Sequence, residues 1–141
     1  LSTSLERFRT LHGFASLTNN TSESNGAFFT YDEGGIVNGT IASANWQCVT
    51  VSSNTRTLTT TTIPVTTTWT KLRVEVNAAG TSVAFYVNGT LAATHTTNIP
   101  LFSQGRFMFA KQGIAKVIGT TARLMYCDYW GYENILTTPR T

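Results

Sequence analysis

The sequence predicts an all-β chain folded as a single antiparallel β-sandwich. Composition is the first reason. Of 141 residues 27 are threonine, while only 12% are charged, about half of the roughly 25% usual in globular domains. Threonine is β-branched and suits a pleated strand, and it keeps a surface polar without charge. Alternation is the second reason: polar and apolar residues exchange with a period of two over several stretches. Turn signals every 8–12 residues are the third, and together these point to a sandwich or barrel. The 16 aromatics and a net charge of +3 do not fit a disordered chain. No apolar run approaches the roughly 20 residues of a membrane-spanning helix, so no membrane insertion is expected. The ten basic residues are scattered from Arg7 to Arg140 without the clustered patch of a nucleic-acid binder, so no nucleic-acid partner is expected.

The elements follow in order. In LERFRTLHGFASLT, Phe8, Leu11 and Phe14 sit at near-helical spacing, and an edge strand fits equally well. Residues 1–20 are read as a connecting segment, and the chain, which starts at Leu1 without an apolar leader, as a piece of a longer one. GAFFTYD (26–32) is an aromatic-rich strand, followed by turn signals at 33–35 and 38–39. In NWQCVTVS (45–52), Val49 and Val51 share one face and Trp46 and Cys48 the other. The Thr-rich stretch 55–65 is a strand or a pair of short strands, stopped near Pro64. Residues 69–97 form a three-stranded meander. In it Leu72, Val74 and Val76 face inward against Lys71, Arg73 and Glu75 outward, and Val83, Phe85 and Val87 face inward against Ala84 and Tyr86. Asn88-Gly89 joins the second and third strands, since a type I′ turn needs positive φ at both central positions. GRFMFAKQ (105–112) and the long TARLMYCDYWGYENIL (121–136) complete the strands.

Cys48 and Cys127 lie in apolar strand-like runs and read as two buried free thiols. A long-range disulfide stays open, and neither cysteine has the neighbouring ligands of a metal site. The histidines, His12 and His95, read as ordinary surface or half-buried residues, with no G-x-S-x-G nucleophile nearby.

The unit from Trp69 to Pro100, with its G-T turn, F-Y-V-N-G and closing N-I-P, resembles the central meander of concanavalin A-like lectin/glucanase jelly rolls, including the laminin-G-like group. The late segment IGTTARLMYCDYWGYE (118–133) is similar to the closing strand of those domains. The phrasing, with abundant threonine, resembles domains of this fold in phage virion fibre proteins. The resemblance implies a jelly roll and a non-enzymatic bacteriophage virion module located on the particle. Its first expected role is a fibre domain attaching to host-surface glycan; capsid decoration or a head fibre, among other virion proteins, is the alternative. The resemblance also implies a homotrimer. A carbohydrate-binding module or glycan-active enzyme domain is the reading from another class.

Glycosidases of this fold carry alternating carboxylates on one strand, which sets two carboxyls about 5 Å apart across the sugar. The seven acids here make no such pattern, and Asp32 and Glu33 are adjacent, so no catalytic residue is expected. Some lectins of the fold bind calcium through clustered loop oxygens; Asp32, Glu33 and Asn38 could supply oxygens from one loop region, and with two aspartates in the chain the expectation is no cofactor, a structural calcium being the alternative. Saccharide recognition pairs an aromatic platform with fixed polar groups. The candidate residues are Trp46, Trp69, Arg73, Tyr86, Tyr126, Asp128 and Trp130. The competing reading is that Lys71, Arg73 and Glu75 only pair across a solvated face and that the tryptophans pack at the sandwich edge or against a neighbouring subunit. The four N-x-S/T sequons begin at Asn19, Asn20, Asn38 and Asn88 and imply no glycosylation.

Overall fold

Eight strands carry the regular structure. The computed structural model describes residues 6–16, 23–32, 43–101 and 108–133. The strands are β1 (Arg7–Ala15), β2 (Gly26–Asp32), β3 (Asn45–Ser52), β4 (Thr55–Pro64), β5 (Leu72–Val76), β6 (Val83–Val87), β7 (Thr90–His95) and β8 (Phe109–Ile118). They form two antiparallel sheets, one of five strands in the order β4-β3-β2-β1-β8 and one of three in the order β5-β6-β7. The architecture is a β-sandwich. Sequons and turns at 17–22 and 33–42, and the start of the 105–112 run, lie outside the described residues.

The expected meander is present with Arg73 opposite Tyr86 and Val74 opposite Phe85. Its turn has φ of 51° at Asn88 and 86° at Gly89, the doubly positive geometry that Asn-Gly favours. Asn88 also exchanges two hydrogen bonds with Lys71, through its backbone N–H and its side-chain Oδ1, each at 2.8 Å. The strand itself begins only at Leu72.

Residues 7–15, read as connecting segment or edge strand, form an interior strand. β1 pairs with β2 on one side and β8 on the other. The true period is two: Phe8, Thr10, His12 and Phe14 lie on one face and Arg9, Leu11 and Ala15 on the other. The helical spacing of Phe8, Leu11 and Phe14 arose from mixing the two faces, both of which carry apolar residues.

That two-sided burial recurs in the neighbours, where every residue of β2 is buried. On the inner face Phe29 meets Phe85 of the small sheet edge-on, with ring centroids 5.3 Å apart. Phe8, Ala27, Tyr31, Trp46, Cys48, Val83 and Val87 complete the buried part of this cluster. On the outer face Leu11, Ala15, Phe28, Val49 and Val51 form a second cluster. Burial pushes the Cys48 thiol up to about 12, so it packs as an inert apolar group.

Beside the second cluster lies a buried ionic knot. The Glu23 carboxylate takes Arg9 Nη2 at 2.9 Å, Lys111 Nζ at 3.3 Å and Arg56 Nη2 at 3.8 Å. It thereby ties together β1, β8 and β4. Burial alone would raise its pKa, but the Arg9 hydrogen bonds and the charges of Arg9 and Lys111 hold it below the usual carboxylate range.

Threonine does more than coat the surface. Thr50 Oγ1 donates to the Thr97 carbonyl at 2.9 Å and therefore accepts from His95 Nδ1 at 3.0 Å. Thr59 Oγ1 contacts the other ring nitrogen at 3.0 Å, and Thr57 and Thr97 hydroxyls meet at 2.6 Å. These bonds sew β7 to β3 and β4. His95, expected at or near the surface, is 3% exposed because both ring nitrogens find partners inside the sandwich.

Two stability measurements test this account by urea denaturation. Phe85→Ala is expected to cost about 3–5 kcal/mol by cavity formation, while Thr94→Ala on exposed β7 surface changes stability by under about 0.5 kcal/mol. Glu23→Ala, leaving three cations around an absent carboxylate, is expected to cost about 3–5 kcal/mol at pH 7. The depressed Glu23 pKa stabilises the fold above the ordinary carboxylate value and that contribution fades on acidification, so the mutant loses its deficit as pH falls.

Candidate functional site

Three strands cannot cover five. The small sheet lies over β4, β2 and part of β1, with β7 against β4 and β5 against β2 and β1. The inner face of β8 and the adjoining side of β1 are left to residues 119–133, which run without regular structure. The sequence predicts a long closing strand over 121–136; the described part has no ladder partner in either sheet. It is held by side chains instead. Arg123 lies over the Phe8 ring at 5.8 Å, and Trp130 and Tyr132 meet Phe14 edge-on at 6.1 Å each. Cys127, expected to be buried in that strand, is consequently an exposed free thiol.

The turn leading into the segment is pinned by Glu6. Its carboxylate accepts the Thr120 and Thr121 N–H groups at 3.0 Å each and pairs with Lys116 at 2.8 Å. Lys116 Nζ also donates to the Thr121 carbonyl. The Lys116 bond, then the Thr121 amide, brings Glu6 down to about 2. Gly119 has φ of 101° and no room for a side chain, since a β-carbon there would collide with the Glu6 carboxylate.

Between this segment, the inner face of β1 and the free edge of β5 runs a cleft of about 1090 Å³. Six of the seven residues singled out from sequence line it: Trp46, Trp69, Arg73, Tyr126, Asp128 and Trp130. Trp69 is 70% exposed, Tyr126 73% and Trp130 47%, so these three rings are presented to solvent. Trp46 differs from the expectation of a platform on an open sheet face. It is 6% exposed and packs against Phe29 and His12, because its face of β3 is the inner one. Tyr86 is not in the cleft. It lies on the outer face of β6 beneath the Arg73 guanidinium, 3.9 Å from the ring centroid, and Arg73 in turn pairs with Glu75 at 2.9 Å. Asp128 is the single carboxylate among the described cleft residues. Asp32, offered for calcium, is fully buried in β2, while Glu33 and Asn38 lie outside the described residues.

Comparison with known proteins bears on the whole of this framework. The family model described as SO2946-like, C-terminal domain, matches residues 3–128. The chain belongs to that family. The match takes in all eight strands of the SO2946-like domain and the cleft wall as far as Asp128. No curated protein and no solved structure matches it.

Among the cleft residues that sequence reasoning did not single out are Thr10, His12 and Arg123. The alternation Phe8, Thr10, His12, Phe14 would have found the first two once β1 was read as a strand. Nothing local marks Arg123. Burial pushes His12 down to about 4, so its imidazole is neutral at physiological pH.

The Glu6 clamp generates a prediction. Glu6 titrates near 2 when folded and near 4.5 when free, so the clamp is complete above pH 4.5 and is released as pH falls toward 2. Hydrogen-exchange protection of the Thr120 and Thr121 amides is expected to drop over that range. Glu6→Ala and Gly119→Ala are expected to lack this protection at every pH, and Trp130 fluorescence is expected to shift with it.

Proposed function

We propose that this SO2946-like domain is a non-enzymatic attachment module of a bacteriophage virion, a concanavalin A-like fibre domain that holds host-surface glycan in the cleft beside β5. The observation that carries the reading is that the solvent-presented rings Trp69, Tyr126 and Trp130 line one cleft together with Asp128. Sugar rings present flat apolar faces ringed by hydroxyls, and a cleft of aromatics with a few fixed polar groups complements both. Retaining or inverting hydrolysis needs two carboxyls flanking the bond; one described carboxylate in the cleft favours binding over cleavage.

A second reading has an observation of its own. Leu124, Tyr126, Tyr129 and Tyr132 are all at least 65% exposed on one short segment. An apolar ridge of that kind also suits packing against sister subunits, as in a trimeric capsid-decoration or head-fibre domain.

The two are separated by binding and mass measurements on the 141-residue chain. The wild-type chain is expected to bind intact host cells or a glycan array. Trp69→Ala, which removes an exposed ring, is expected to weaken binding at least tenfold without lowering Tm. A chain that binds no glycan or cell and sediments as a stable trimer with Trp69 and Trp130 protected would replace the attachment reading with the structural one.

A further inference from the structure

The cleft floor differs in kind from its rim. Along the inner face of β1, Thr10 and His12 sit between Phe8 and Phe14, with Trp46 against His12 at a ring separation of 5.5 Å and Arg123 over Phe8. Thr10 is 9% exposed and Trp46 6%. Thr10 Oγ1, His12 Nε2, Trp46 Nε1 and Arg123 Nε are all buried without a hydrogen-bond partner, and all four residues line the cleft. Buried polar groups are almost always paired, and leaving one unpaired is costly. Four gathered on one cleft mark a place where a bound molecule supplies the partners.

Their chemistry says which partners. The indole N–H and the guanidinium Nε–H only donate. In the tautomer whose Nδ1 accepts from the Gln112 amide nitrogen at 3.5 Å, the ring hydrogen sits on Nε2 and makes it a third donor. The Thr10 hydroxyl can donate as well. A neutral hydroxyl offers a hydrogen that this floor has little means to accept. A carboxylate or phosphate offers acceptors alone and forms stronger, charge-assisted bonds. The charges agree: with Arg73 stacked on Tyr86 and paired to Glu75, Lys71 and Arg123 against Asp128 leave the described cleft with two cations to one anion.

We infer that the cleft selects an anionic saccharide, whose acidic groups meet the donors spread along this floor, Thr10, His12, Trp46 and Arg123, while its rings lie on the exposed aromatics. This rests on the reading of the cleft as a saccharide site and adds its charge class. Trp46, Trp69 and Trp130, the only tryptophans of the chain, all line the cleft, so intrinsic fluorescence reports occupancy directly.

The test is a glycan array carrying carboxylated, phosphorylated and neutral oligosaccharides. Each acidic glycan is paired with its neutral form, methyl-esterified or dephosphorylated, and hits are titrated by tryptophan fluorescence. Binding is expected to concentrate on acidic glycans and to fall at least tenfold on neutralisation; the carboxylate and phosphate arms identify which acid is held. Thr10→Val, close to isosteric, and Arg123→Leu, on a segment outside both sheets, are each expected to weaken the acidic glycan about tenfold and bring it toward its neutral form. Circular dichroism checks their folding, and Arg123→Leu keeps the test decisive should Thr10→Val unfold. Equal binding of acidic and neutral forms would overturn the anionic assignment while leaving the saccharide site standing. No binding to any glycan would overturn both.

Discussion

The mismatch in width between the two sheets governs this molecule. A three-stranded sheet lies on a five-stranded one, anchored where Phe29 meets Phe85. Sheets packed face to face bury what they share and leave the rest to other parts of the chain. Here the remainder is the inner face of β8 and one side of β1. A segment without a strand partner crosses it, secured by Arg123 on Phe8 and by Trp130 and Tyr132 on Phe14 rather than by a ladder. An irregular cover seals less closely than a sheet, and the cleft is the space it leaves along β5.

The large sheet can serve as a rigid wall for that cleft because its middle strands are buried on both faces. One face joins the small sheet through aromatic packing and a hydroxyl seam in which His95 bridges Thr50 and Thr59. The other is tied by Glu23, which draws cations from β1, β4 and β8. The low overall charge of the chain makes this concentration notable: four of its 17 charged residues are committed to one buried knot, where they add register rather than solubility. A buried carboxylate surrounded by guanidinium groups is worth most when its geometry is complete, and the bidentate Arg9 contact completes it.

Legibility followed the range of the interactions. The β5–β7 meander was readable because alternation, a Gly turn and Asn-Gly are all local. The 26–32, 45–52 and 55–64 strands were readable for the same reason. The aromatic site was legible in part: Trp69, Tyr126, Asp128 and Trp130 were named from the faces they would share, and they do line one cleft. Their shared surface is reached differently from the expected strand, since 119–133 has no ladder. Trp46 was placed on the correct side of its strand, but whether that side met solvent or the opposing sheet depended on what lay above it. Tyr86 was correctly turned outward, and outward proved to be away from the cleft.

By itself, then, the sequence determined which stretches are extended, which residues alternate across them, where the tight turns fall and that its seven acids make no alternating carboxylate pattern on one strand. Those properties depend on neighbours one to four residues apart. The tertiary structure alone decided that β1 is interior, that His95 joins two sheets, that the closing segment stays irregular, and that Thr10, His12, Trp46 and Arg123 line one cleft with donors unpaired. Each of these depends on pairing between strands tens of residues apart. Strand order and sheet coverage set such pairings, and alternation within a single strand carries no record of either.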